Sequence, residues 1–263
     1  MNKSELLLFL EKIGASPRKS LSQNFLIDKN IILKLIALAQ IKPDDKVLEI
    51  GSGPGAITEE LLAAGAHVLA VEMDRLFSAH LKPHPNLQVH SGDILKFPFE
   101  SLKPGPWKVV SNLPFHITAP TFAKLFDHID LFDSFTLIVQ KEVVDRIRAK
   151  PRSKQYGSLT IFLNFYTEIE ATFPISASCF YPKPSVDSTA IRLLPRAIKP
   201  TIAPEHFFPI VHKAFQQRRK MLSSSLKSLS TNIPLYLESM GLPAKARPEE
   251  LSLDEWIQFI EKL

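Results

Sequence analysis

Cysteine is all but missing from this chain: Cys179 is the only one. A single thiol cannot form an intrachain disulfide, which points to a reducing compartment. Its neighbours, Ser176-Ala177-Ser178 and Phe180, offer no base, so a buried inert thiol is expected rather than a nucleophile. Long apolar runs are missing as well. Nowhere do about eighteen apolar residues follow one another, the length that a membrane-spanning helix needs. The run Leu6 to Leu10 is flanked by Glu5 and Glu11, too short and too acidic at its edges for a secretory signal. No internal repeat or low-complexity tract occurs. A cytoplasmic protein with no membrane partner and no metal site is expected.

What is present is ordinary globular composition: 263 residues, 45% hydrophobic and 22% charged. That fits one large domain, or a medium domain with a small appendage. The net charge of +5 suggests a polyanionic partner only where the charges cluster. They cluster twice. Between Lys141 and Lys154 lie Arg146, Arg148, Lys150 and Arg152, against Glu142 and Asp145, and Arg218-Arg219-Lys220 forms the second group. A solvated helix face is the ordinary fate of such runs.

In chain order, helical spacing covers residues 1–16, and Asp28 is placed to cap a helix running through Ala39. Five short apolar strands follow: 46–50, 66–71, 87–90, 107–111 and 135–139, with helical patterns between most of them. Further strands are expected at 169–173 and 188–194, and a helix at 158–167. Strands alternating with helices indicate an α/β, doubly wound parallel sheet of the Rossmann-like kind, which binds ligands beyond the carboxyl ends of its strands. Gly51-Ser52-Gly53-Pro54-Gly55, Glu72, Asp93 and Asn112 all fall at those ends. The stretch 195–204 holds three prolines and reads as a linker. Beyond it the pattern is helical over 205–229, 234–240 and 253–260. Two domains are therefore expected, 1–194 and a small all-α domain 195–263.

Gly51-x-Gly53-x-x-Ala56, with Glu72 about 20 residues on, satisfies the relaxed dinucleotide fingerprint. NAD is one reading. Pro54-Gly55 widens the turn, however, and Glu49 sets a carboxylate where two phosphates would be repelled. S-adenosylmethionine, which carries an ammonium group and no phosphate, suits such a site better. Glu72 would accept its ribose hydroxyls and Asp93 its adenine amine, while Gly51 and Gly53 permit close backbone approach.

Asn112-Leu113-Pro114-Phe115 ends the strand that begins at Trp107. By itself this reads more readily as a strand end with a proline-shaped loop than as a site. Beside S-adenosylmethionine it suits an adenine: the Asn112 side-chain oxygen and the Leu113 carbonyl accept the N6 hydrogens, and Phe115 stacks on the ring. The base must be unpaired or flipped out to enter.

These residues resemble those of the small-subunit ribosomal RNA adenine N6-dimethyltransferases over nearly the whole chain. The shared segments are Ser22-Gln23-Asn24-Phe25-Leu26, Glu49-Ile50-Gly51-Ser52-Gly53-Pro54-Gly55, Glu72-Met73-Asp74, Gly92-Asp93 and Asn112-Leu113-Pro114-Phe115. Tyr156-Gly157-Ser158-Leu159, Phe180-Tyr181-Pro182-Lys183-Pro184-Ser185-Val186-Asp187-Ser188 and Ala214-Phe215-Gln216-Gln217-Arg218-Arg219-Lys220 complete them. The resemblance implies a seven-stranded class I methyltransferase domain with a small helical domain, acting on small-subunit rRNA in the immature small ribosomal subunit; a monomer is expected. It implies transfer of four methyl groups to two adjacent adenines near the 3′ end. By matching position, Asn24, Leu26, Glu49, Gly51, Gly53, Glu72, Asp93 and Asn112 would contact the cofactor. Asn112, Leu113, Pro114 and Phe115 would carry the reaction. Phe180 would flank the base opposite Phe115, with a core position as its alternative. Tyr156, Arg146, Arg148, Arg218, Arg219 and Lys220 would bind RNA, with Arg18 and Lys19 near the entrance. The family usually has tyrosine where this chain has Phe115; stacking needs only the ring, so catalysis is expected to survive the change. A methyltransferase acting on a single large-subunit adenine, a DNA adenine methyltransferase and an RNA-binding assembly factor with a vestigial cofactor site remain as alternatives.

Overall fold

The structure, a computed structural model, describes residues 1–18 and 21–263. The chain forms two compact units: Met1–Lys141 with Ile169–Pro195, and Glu142–Glu168 with Arg196–Leu263.

The first unit begins with α1 (Lys3–Lys12) and a two-residue strand β1 (Phe25–Leu26). It continues through α2 (Lys29–Ala39), β2 (Lys46–Ile50), α3 (Ala56–Ala63), β3 (His67–Glu72), α4 (Arg75–His80) and β4 (Leu87–Ser91). Then come β5 (Trp107–Asn112), α5 (Thr118–Phe126) and β6 (Phe132–Gln140). After α6 (Lys141–Ile147) and α7 (Ser158–Tyr166), the strands β7 (Thr167–Ile175), β8 (Phe180–Tyr181) and β9 (Ser188–Pro195) close the unit. The seven-stranded sheet runs β4-β3-β2-β5-β6-β9-β7. From β4 to β6 neighbours are parallel, while β9 is antiparallel to β6. In the interior strand β2, between β3 and β5, Val47, Leu48, Glu49 and Ile50 are all buried, as a parallel strand covered on both faces must be. Asp28 caps α2 as expected, its Oδ1 accepting from the Asn30 and Ile31 amides at 2.9 and 3.2 Å. Cys179 is half-buried rather than buried. Its thiol lies 3.8 Å from Asp28 Oδ2, and burial together with that carboxylate pushes its pKa up, away from a reactive thiolate.

The second unit contains α7 and all of α6 but its first residue, together with α8 (Pro204–Gln216), α9 (Leu222–Ser225), α10 (Ile233–Ser239) and α11 (Leu253–Glu261). Residues 196–203 carry neither helix nor strand. Three expectations are corrected here. The helix expected over 205–229 breaks after Gln216, because five polar residues from Gln216 to Lys220 offer nothing to bury for more than a turn. The N-terminal helix stops at Lys12, well short of residue 16. The expected first domain, 1–194, includes Glu142–Glu168, which the structure instead places in the second unit. Tyr156, Ile161 and Phe165 share one apolar cluster with Phe207, Val211, Trp256 and Phe259, so their burial partners lie far away in sequence.

No helix among the described residues is long and apolar enough to cross a membrane.

Candidate active site

At the carboxyl ends of β2, β3 and β5, together with the loop after β4, the first unit encloses a cavity of about 390 Å³. That is within the range of small-molecule sites. Its wall includes Asn24, Leu26, Gly51, Gly53, Glu72, Asp93 and the whole of Asn112-Leu113-Pro114-Phe115. Residues predicted from separate stretches of the chain thus meet around one space.

The floor is set by the glycine loop. Gly51, Gly53 and Gly55 all have positive φ, of 74°, 49° and 88°. A Cβ on Gly53 would lie 3.1 Å from the Phe25 ring, so both conformation and space demand glycine there. Glu72, 6% exposed, ties this loop to the next strand. Its Oε2 accepts from the Gly53 amide at 2.7 Å and its Oε1 from the Asp74 amide at 2.8 Å. A carboxylate has about four lone-pair directions, so about two stay available to ligand hydroxyls. Burial raises the pKa of Glu72 against these two hydrogen bonds. Asp93 Oδ1 accepts from the Leu95 amide at 2.9 Å, which orients the side chain at the start of a short 3-10 turn.

The Asn112 amide has a defined orientation. Its Nδ2 donates to the Asn24 carbonyl at 2.8 Å, and only the nitrogen can donate, so Oδ1 is the remaining acceptor. Among the described residues no donor reaches that oxygen. One residue earlier, the buried Ser111 hydroxyl donates to the Ile50 carbonyl at 2.6 Å and locks β5 to the start of the glycine loop. Leu113 is buried, and Pro114 leads into a 3-10 turn, Phe115–Ile117, that leaves Phe115 half-buried.

Several expected site residues are elsewhere. Glu49 does not face the cavity; alternation along β2 sends Ile50 to the wall and Glu49 towards α3. Glu49 is 1% exposed, its Oε2 accepts from the Thr58 hydroxyl at 2.6 Å, and its Oε1 has no partner among the described residues. Burial, reinforced by the charge of Glu72, pushes its pKa up to about 8, so it is largely protonated at neutral pH. The expected repulsion of phosphates by a charged Glu49 is therefore not available as a reason to exclude NAD. Phe180 pairs with Leu26 across β1 and β8 and sits 3% exposed in the core, off the cavity wall. Tyr156 is buried in the second unit, its hydroxyl donating to the Leu251 carbonyl at 2.6 Å. Arg218 is held by the Glu249 carboxylate and donates to the Ser153 and Lys154 carbonyls at 3.1 and 3.0 Å. Arg146, Arg148, Arg219 and Lys220 are exposed, Arg146 lying 3.6 Å from Glu142. Arg18 lies 3.6 Å from Asp74, and Lys19 falls outside the described residues.

Sequence reasoning missed Met73, Ile94, Leu95 and His116, which also line the cavity. Met73 and Ile94 directly follow Glu72 and Asp93, so the same strand-end logic reaches them.

Across residues 14–263 the chain matches the sequence profile of ribosomal RNA adenine dimethylase. It is 44% identical to the ribosomal RNA small subunit methyltransferase A of Protochlamydia amoebophila, over 99% of this chain and 96% of that one. Its identity to the Chlamydia trachomatis serovar L2 protein of the same name is 40%, over 98% of this chain and 96% of that one. Among solved structures it resembles a dimethyladenosine transferase from Plasmodium falciparum, with a TM-score of 0.79 and 25% identity, covering 90% of this chain and 96% of that chain. The 23S rRNA methyltransferase ErmE gives 0.68 and 26%, covering 91% and 99%. A seven-stranded sheet with β9 antiparallel to β6, a glycine loop and acids at its strand ends define a class I S-adenosylmethionine-dependent methyltransferase. Within that class, the chain belongs to the ribosomal RNA adenine dimethylase family.

Proposed function

We propose that this protein methylates N6 of two adjacent adenines near the 3′ end of small-subunit rRNA, acting as a monomer on immature small subunits. The observation that carries this reading is the Asn112 amide: its nitrogen is held by the Asn24 carbonyl and its oxygen is left as an acceptor in the cavity wall. An adenine amine is a poor nucleophile because its lone pair is delocalised into the ring. Asn112 Oδ1 and the Leu113 carbonyl accept the two N6 hydrogens of the unmethylated base, and one of them the single hydrogen left after the first transfer, drawing the nitrogen towards tetrahedral geometry and aiming its lone pair into the cavity. Each transfer releases one N6 hydrogen to water as a proton. Phe115 stacks on the base, typically worth about 1–3 kcal/mol. Positioning, rather than a strong base, lowers the barrier.

The donor set fits S-adenosylmethionine. Glu72 keeps two acceptor directions for ribose hydroxyls, Asp93 keeps Oδ2 for an exocyclic amine, and the Cβ-free Gly51 and Gly53 let the chain approach closely. When bound, S-adenosylmethionine supplies an electrophilic methyl group on a sulfonium sulfur. Asn24 and Leu26 close the same space from the N-terminal side. Exposed Arg146, Arg148, Arg219 and Lys220 contact RNA phosphates, which position the substrate and weaken with salt. Arg218 and Tyr156 shape the second unit instead, and Phe180 supports β1 from the core.

The test is to supply unmethylated small subunits with labelled cofactor and map the product. Dimethylation of two adjacent adenines near the 3′ end of small-subunit rRNA is expected. Label on a large-subunit adenine would favour the activity named for ErmE, and no transfer to either RNA would overturn the reading.

A further inference from the structure

We propose that Gln23 and Asp74 form a positioning pair that sets the aim of the Asn112 amide from outside the reacting atoms. The inference rests on the role given to Asn112 above. Asp74 is 4% exposed, and its Oδ2 lies 3.6 Å from the Arg18 guanidinium. Oδ1 caps α4 by accepting from the Leu76 amide at 3.0 Å, while Oδ2 accepts from Gln23 Nε2 at 3.2 Å.

The orientation of the Gln23 side chain is determined at its other end. Its Oε1 accepts from the Arg18 amide at 2.8 Å, and its own backbone amide donates to the Arg18 carbonyl at 3.3 Å. The side-chain nitrogen must therefore face Asp74. On the other flank, Ser22 Oγ and His116 Nδ1 are 3.1 Å apart, and Asn24 Nδ2 donates back to the Ser22 carbonyl at 3.0 Å. Residues 22–24 are thus tied at one end to the loop after β3 and at the other to the turn after β5.

Between those ties lies the Asn24 carbonyl, the acceptor that holds Asn112 Nδ2 at 2.8 Å. Nothing else among the described residues fixes that amide. If residues 22–24 shift, Asn112 can turn its nitrogen into the cavity and present a donor where an adenine N–H needs an acceptor. The Gln23–Asp74 bond ties this segment to the loop after β3. Gln23 also stands on the cavity wall and the Asp74 charge acts on Glu72, so cofactor affinity is the readout that separates a loss routed through the Asn24 carbonyl from one routed through the cofactor site. Asp74 also donates its amide to Glu72, but that bond is made by backbone and survives side-chain substitution.

The pair can be tested by exchanging donor and acceptor. Gln23→Glu sets two carboxylates against each other, and Asp74→Asn sets two amide donors against each other while its oxygen still caps α4. In the double variant Q23E/D74N the new asparagine nitrogen donates to the new glutamate, which still accepts from the Arg18 amide. Gln23→Ala removes the bond without a like-charge contact. Single-turnover transfer to unmethylated small subunits is measured at saturating S-adenosylmethionine and RNA, with cofactor affinity followed by calorimetry. Each single variant should lose about tenfold or more in transfer rate with affinity changed less than about threefold, and the double should recover most of the rate. Wild-type rates in all three singles would overturn the proposal. So would a loss matched by weakened cofactor binding, or a double no better than its parents. A collapse in Asn112→Ala alongside unaffected Gln23 and Asp74 variants would leave the role of Asn112 standing and remove only this pair.

Discussion

Glu49 holds its proton at neutral pH because the fold buries it under α3, with one oxygen satisfied and the other without a partner among the described residues. Its pKa rises from 4.5 to about 8. Between those values the folded protein keeps a proton that the unfolded chain has lost, so stability falls as pH rises across that window and levels off above it. Glu49→Gln removes this dependence. The stability of the variant relative to wild type should therefore grow with pH by up to about 1.4 kcal/mol per unit between about pH 5 and 8, measured by urea denaturation in the absence of cofactor. Parallel stability curves for the two proteins would contradict the assignment. Glu72 is also raised by burial, so a residual slope in the same direction is expected in the variant. The cavity-facing residues were legible because they stand at strand ends. Glu49 stands off the cavity wall; alternation along β2 sets its direction, but a strand buried on both faces does not show in sequence which face meets the ligand.

At the scale of elements, the two arginines of Arg218-Arg219-Lys220 do different work. Arg218 gathers Glu249 and the carbonyls of Ser153 and Lys154, all within the second unit, whereas Arg219 and Lys220 are exposed. Arg218→Ala should destabilise the protein by about 1–2 kcal/mol in chemical denaturation, since it strips hydrogen bonds to a charged group. Arg219→Ala and Lys220→Ala should leave stability within about 0.5 kcal/mol. Each should weaken RNA binding and flatten its salt dependence by close to one unit of log–log slope for every phosphate no longer neutralised. An unchanged salt slope would remove those two residues from the RNA surface. No run of three basic residues tells which one turns inward, because Ser153 and Glu249 lie far off in sequence. The same limit hid β1 and β8, two residues each, whose pairing of Phe25 with Tyr181 and Leu26 with Phe180 has no periodicity to read.

For the whole molecule, the parallel sheet was legible because each strand is a short apolar run followed by a polar or glycine-rich end and then a helical pattern. The division into units was not. Proline content marked the boundary near Pro195, but the apolar faces of Tyr156, Ile161 and Phe165 match partners beyond residue 204, and only folding brings them together. What the fold achieves is convergence: three parallel strands and the segment before α2 deliver Gly53, Glu72, Asn24 and Asn112 to one cavity. The role of Asn112 at that meeting point is the central claim, and single-turnover methyl transfer to unmethylated small subunits tests it most directly. At saturating cofactor and RNA, Asn112→Ala should transfer methyl groups at least about a hundredfold more slowly than wild type while remaining folded. A rate close to wild type would contradict the account.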